Sequence, residues 1–163
     1  MADLAAMLIE AGCSDVQTYI QSGNVAFSAT PGSAKRLPQI LSQKIAEHFG
    51  IRVPVILRTA DELRRVAARN PFLKSTADIS FLHVAFLADL PDRRRVAALD
   101  PNRSPGDSFE VRGREIYLCL RNGVARTKLT NAYFDSILST TSTARNWRTV
   151  LKLVEIVQTP PSR

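Results

Sequence analysis

The sequence predicts an α+β fold made of two ferredoxin-like halves, each part of a split β-α-β unit with helices against a mixed or antiparallel sheet. Three observations predict it. Two stretches alternate apolar and polar residues across short polar turns, helical spacings lie around them, and one helix carries a complete start signal. The halves are expected to divide into residues 1–58 and an α+β half of 59–163.

In chain order, Leu4, Met7, Leu8 and Ala11 fall at helical spacing, and Gly12 suits the left-handed stop behind them. Val16, Thr18 and Ile20 alternate as one strand face. Gln21-Ser-Gly-Asn24 supplies turn chemistry, and Val25 and Phe27 resume a second strand. After the break at Pro31, Gly32 and Ser33, a helical face runs through Leu37, Ile40, Leu41, Ile45, His48 and Phe49 to Gly50. Residues 53–58 are β-rich, and Pro54 confines that strand to an edge or to its first residues. Thr59 and Glu62 form a capping box for a helix that turns Leu63, Val66 and Ala67 inward and stops at Asn70 and Pro71. A strand over 79–88 and a short helix from Pro91 to Leu99 follow. Next comes a hairpin of 108–111 and 115–120 around Arg112, Gly113 and Arg114. Thr130 or Asn131 caps a helix holding Tyr133, Phe134, Ile137 and Leu138. The last helix runs through Trp147, Val150, Leu151, Val154 and Val157 before Pro160 and Pro161.

A full ferredoxin-like half opens on a strand that lies inside its sheet, whereas this sequence opens on a helix. The N-terminal half is therefore expected to lack its first strand, and the chain to be short at its start. A vacant strand position leaves backbone groups unpaired at about 1–3 kcal/mol for each buried one.

Composition narrows the class. The apolar fraction is 45% and mean hydropathy is −0.07, as in folded soluble domains. No run approaches the roughly 18 apolar residues of a membrane span, so no membrane partner is expected. Two cysteines, Cys13 and Cys119, make neither a disulfide framework nor a metal set. They read as buried free thiols in a cytoplasmic protein. The net charge is +7 with pI ≈ 10.0, which invites an anionic partner. Of the 22 basic residues 17 are arginine, and between Arg121 and Lys152 six basic residues meet one acid, Asp135.

The standard catalytic signatures are mostly excluded, and an enzyme acting on a small anionic ligand would have no recognisable nucleophile or base here. The seven glycines form neither a Walker A nor a dinucleotide fingerprint, so no cofactor is expected. His48 and His83 lack neighbouring ligands and read as core or boundary histidines. Ser22, in Gln-Ser-Gly, reads as a turn residue rather than a nucleophile.

The runs Thr18-Tyr-Ile-Gln-Ser-Gly-Asn-Val-Ala-Phe27, Val53-Pro-Val55, Asn70-Pro-Phe72 and His83-Val-Ala-Phe-Leu87 form a recognisable series. With Arg126-Thr-Lys-Leu-Thr-Asn131 and Thr143-Ala-Arg-Asn-Trp-Arg-Thr149, the chain resembles the bacterial family called domain of unknown function 1697. That resemblance implies paired ferredoxin-like halves and an extra strand with a glycine-containing loop ahead of Met1. It implies no activity.

The chemistry is expected in the C-terminal third. The segment 121–131 leaves a strand and enters a helix cap with Arg126, Thr127, Lys128 and Thr130. The segment 143–149 repeats that composition at the start of the last helix with Arg145, Asn146 and Arg148. Helix N-termini present free amides and a positive dipole end. If the two starts converge, they form a site for a small anionic ligand, phosphate or carboxylate, with Tyr19, Ser22 and Asn24 as a further wall. The plainer reading is capping and solvated charge, with Trp147 as a core anchor. A single-stranded nucleic-acid binder would use the same basic surface, but the strand ending in Phe27 lacks the basic and aromatic pattern of an RNA-recognition box. A protein-interaction module at an incomplete sheet edge is the third class.

Overall fold

A computed structural model describes residues 1–19, 23–76 and 78–158. The chain forms two compact units: Met1–Leu57 with the chain from Glu155 onward, and Arg58–Val154. Both carry antiparallel sheet and helix, an α+β architecture. No helix among the described residues is long and apolar enough to cross a membrane.

The first unit opens on α1 (Ala2–Glu10), which buries Met7 and Leu8. Its stop is the expected one: Gly12 takes φ 84, and the amides of Gly12 and Cys13 bond back to Ile9 and Leu8. Strands β1 (Ser14–Tyr19) and β2 (Asn24–Ser28) form an antiparallel hairpin in which Tyr19 faces Asn24. A register shift between Ser14 and Gln17 contains Asp15 at φ 52, a left-handed position that a short polar side chain tolerates. Gln21 and Ser22 of the expected turn lie outside the described residues. A short helix α2 (Pro31–Ala34), capped by Thr30, precedes α3 (Leu37–Phe49). Leu37, Leu41 and Ile45 of α3 join Met7, Leu8 and Cys13 in the core.

The expected helical face was too wide. Ile40 and Phe49 are exposed, and His48 is an exposed residue set edge-on to Phe49 rather than a core histidine. Residues 53–58 form no strand, correcting a second expectation. Pro54 cannot donate to a ladder, and among the described residues β2 pairs only with β1. The segment is held instead by Val55 and Leu57 against the core and by the Ser42 hydroxyl donating to the Val53 carbonyl at 2.9 Å.

The second unit begins with α4 (Ala60–Ala68), whose capping box forms as predicted. The Thr59 hydroxyl accepts from the Glu62 amide at 3.2 Å, and the Glu62 carboxylate accepts from the Thr59 amide at 2.8 Å. A 3-10 turn (Ile79–Phe81) leads into β3 (Leu82–Leu87), which is shorter than expected. Helix α5 (Arg93–Ala97) is capped by Asp92, so Pro91 lies before it rather than in its first turn. Then follow β4 (Ser108–Arg112), β5 (Glu115–Cys119), α6 (Asn131–Leu138), β6 (Ser142–Asn146) and α7 (Trp147–Gln158). Strand β6 was missed, because the sequence placed its residues in the opening of the last helix. Its polar run has no alternating apolar pattern, and its state is set by antiparallel pairing with β3.

The strands lie in the order β4-β5-β3-β6, all neighbours antiparallel. Alternation gives the sheet two faces. Ala85, Leu87, Ile116 and Leu118 point to a core closed by Leu99, Leu129, Phe134 and Leu138. Val84, Phe86, Tyr117 and Cys119 point the other way and are also buried. Helix α4 packs on this second face, with the Tyr117 hydroxyl donating to the Val66 carbonyl at 3.3 Å. Cys13 and Cys119 are buried free thiols, and burial raises the pKa of Cys13.

Candidate functional site

The basic segment after β5 is shaped around one buried carboxylate. Asp107 accepts from the Ser104 hydroxyl at 2.7 Å and the Asn122 amide at 2.9 Å. Burial alone would raise its pKa, but these donors and the Thr127 hydroxyl outweigh it and hold the carboxyl below its usual range. Thr127 also accepts from the Leu129 amide, the Lys128 amide bonds the Ser104 hydroxyl, and Thr130 caps α6. These side chains are thus occupied in building the loop. Arg126 and Lys128 are exposed on it.

Arg145 lies elsewhere. It pairs with Val84 across β6 and β3, whereas Ala144 pairs with Ala85. Its side chain therefore leaves the sheet on the face opposite the one α6 covers. It is half-buried and donates to the Thr143 hydroxyl at 2.6 Å and the Ala144 carbonyl at 2.8 Å. Burial lowers its pKa. Tyr19 and Asn24 form the last β1–β2 pair of the first unit.

The two predicted segments do meet, through Asn146 and Arg148 of the expected set and through residues outside it. A cavity of about 330 Å³ is lined by Ser80, Phe81 and His83, by Leu120, Gly123 and Val124, and by Asn146, Trp147 and Arg148. Arg126 and Arg145 do not line it. Asn146 caps α7, its side-chain oxygen accepting from the Thr149 amide at 2.8 Å. Trp147 is 2% exposed and serves as the core anchor foreseen for it. His83, half-buried at the wall, has Nδ1 3.2 Å from the Phe81 carbonyl. A proton there would leave Nε2 as an acceptor. Asp78 is held below the usual range by the side chain and amide of Ser80, with a smaller contribution from the Arg148 charge.

A second cavity, about 230 Å³, lies between α4 and the β4–β5 turn. Its lining includes Glu62, Arg65, Arg69, Arg112, Gly113, Arg114, Glu115 and Tyr117. Arg114 donates to Glu62 at 2.6 Å, and Arg112 to Glu110 at 2.6 Å and to the Arg69 carbonyl at 2.7 Å. Beneath them Arg58 donates to Glu115 at 2.8 Å and to the carbonyls of Leu87 and Arg114. Burial lowers the Arg58 pKa, which Glu115 partly restores. Burial would raise Glu62, but the Thr59 amide and the charges of Arg114 and Arg58 bring it below its usual range. Burial, then the Glu115 charge, pushes the Tyr117 phenol up to about 12. The sequence reading passed over this cluster. Its signals were Arg65 and Arg69 one helical turn apart and the Arg112-Gly-Arg114 turn.

Among the described residues no group of three or more His, Cys, Asp or Glu is placed to hold a metal ion. The conserved bacterial protein SP0830 from Streptococcus pneumoniae is a solved structure similar to this chain. The TM-score is 0.71 at 20% identity, over 96% of this chain and 88% of that one, a likeness that shows the fold alone. No curated protein matches the chain. A family model described as protein of unknown function (DUF1697) matches residues 1–117, well over half the length, and the chain belongs to that family.

Proposed function

We propose that the protein binds a small ligand carrying a phosphate or carboxylate group in the cavity at the start of α7. One observation carries the reading: three segments far apart in sequence close around a single hollow with largely apolar walls and an arginine at its edge. Phe81, Leu120 and Val124 suit an apolar body, and Arg148 and the first amides of α7 suit its anionic end. Arg126 and Lys128 add positive potential from the adjoining loop, and Arg145 serves the sheet. A nucleic-acid reading has less support. Phe27 packs against the first unit's core, and Trp147 has no open face for stacking.

The same reading takes the strand-helix-strand-strand-helix-strand order from β3 to β6, with sheet order β4-β5-β3-β6, as a ferredoxin-like unit. It assigns ligand binding to residues 59–163 and agrees with a cytoplasmic location, where free thiols persist. Benzoate, with acetate as the control, tests it by thermal denaturation. Benzoate should raise Tm saturably, acetate should do so less, and Arg148→Glu should abolish the rise. An unchanged benzoate response in Arg148→Glu would sink the assignment. Steeply salt-dependent binding of oligonucleotide in its place would favour the nucleic-acid class.

A further inference from the structure

We propose that the arginine cleft between α4 and the β4–β5 turn is a separate site for the phosphate group of a small molecule. The cleft stands apart from the α7 cavity and does not depend on that reading.

The charge arrangement comes first. The lining holds four arginines against two glutamates, and both glutamates are already engaged, Glu62 by Arg114 and Glu115 by Arg58. Arg112 has its own partner in Glu110, outside the lining. Arg65 and Arg69 remain. Among the described residues neither guanidinium has a hydrogen bond or ion pair. Arg65 lies in the last turn of α4 and Arg69 caps its C-terminal end, four residues on, where like charges repel. The negative end of the α4 dipole accounts for cations in its last turn. It does not account for two more arginines delivered opposite them by a separate hairpin.

The second argument is rigidity. Gly113, at φ 64, makes the turn that sets Arg112 and Arg114 on the cleft. Both guanidinium groups are then anchored, Arg114 to Glu62 and Arg112 to Glu110 and the Arg69 carbonyl. Buried Arg58 ties the base of the turn to β3 through the carbonyls of Leu87 and Arg114. The cleft is therefore an anchored frame with two exposed, uncommitted guanidinium groups at its edge, whose fork geometry matches phosphate. Its volume of about 230 Å³ equals roughly eight waters at ~30 Å³ each, enough for a phosphate group and a short stem. Tyr117 forms a floor that stays protonated at neutral pH.

The test is calorimetric titration at 150 mM chloride with inorganic phosphate, phenyl phosphate and, as a monoanion control, acetate. Wild-type protein should bind phosphate and phenyl phosphate saturably and acetate not measurably. The double variant Arg65→Gln and Arg69→Gln changes two exposed positions, one in the last turn of α4 and one at its C-cap, and should keep the fold, read by circular dichroism. It should weaken phosphate by roughly tenfold or more, whereas Arg93→Gln, an exposed position of α5 that lines neither cavity, should leave phosphate affinity unchanged. No saturable phosphate binding in the wild type, or affinity preserved in the double variant, would overturn the proposal. So would loss in Arg148→Gln alone, which would place the anion in the other cavity. In the Arg148→Glu background, where the α7 cavity is disabled, tighter binding of phenyl phosphate than of phosphate would support a small organic phosphate as the occupant of the cleft, and equal affinity the free ion.

Discussion

The two sheets differ in who does the burying. In β3 five of six residues are buried, and in β5 four of five, whereas β1 has none. The first unit draws its core from Met7 and Leu8 of α1 and Leu37, Leu41 and Ile45 of α3, with the hairpin laid over them. The second unit is built on its sheet, filled on both faces. A strand that buries little is specified by its turn and its pairing, and a strand between two cores is specified by every side chain. The first unit also exposes Ile9, Ile40, Phe49, Ile51 and Val53, so it should be the less stable of the two.

The largest effect expected is in the sheet-built core. Phe134→Ala, at a position with no exposure, should cost roughly 3–5 kcal/mol, against roughly 2–3 kcal/mol for Leu41→Ala among the helices. Urea denaturation followed by Trp147 fluorescence and by circular dichroism would show it. A larger loss for Leu41→Ala would reverse the comparison. Next comes the ion pair on the second face. Glu115→Ala strands a guanidinium that is 5% exposed and should cost about 3 kcal/mol. Replacing both partners, Arg58→Met with Glu115→Leu, should recover most of that loss.

Acid dependence gives a third test. The folded pKa of Asp107 lies below its unfolded value, taken as the ordinary 3.8. Its contribution is therefore complete above that pH and drains away as pH falls through the folded value. Asp107→Asn should be less stable at pH 7 and lose less on acidification than the wild type. Parallel acid curves would remove Asp107 from the account. The smallest effect belongs to a local signal: Thr59→Ala should cost about 1 kcal/mol, measured as a shift in denaturation midpoint.

What could be read from the sequence was what is encoded locally. Thr59 and Glu62 are three residues apart and formed the box as written, and Thr130 capped its helix. Gly12 stopped α1 for the same reason. Strand β6 was illegible because only Thr143 in Ser142 to Asn146 favours extended backbone and no apolar alternation marks the run. The preference arrives from β3, nearly sixty residues earlier. Residues 53–58 failed in the opposite sense, with β propensity but no ladder to join. The site divided along the same line. Asn146 and Arg148 do stand at the opening of the last helix, as their sequence suggested, while Arg145, read with them, is turned to the other face by strand alternation. The arginine cleft was invisible since each half, a helix end and a turn, has a sufficient local explanation.

Arg145 also bears on how copies of the protein meet one another. β6 is an outer strand of its sheet, and an outer strand offers its backbone to any passing extended chain. A visitor docking there would have to strip water from a half-buried guanidinium already committed to Thr143 and Ala144. The residue that seemed to invite a ligand thus raises the desolvation cost of adding a strand at that edge.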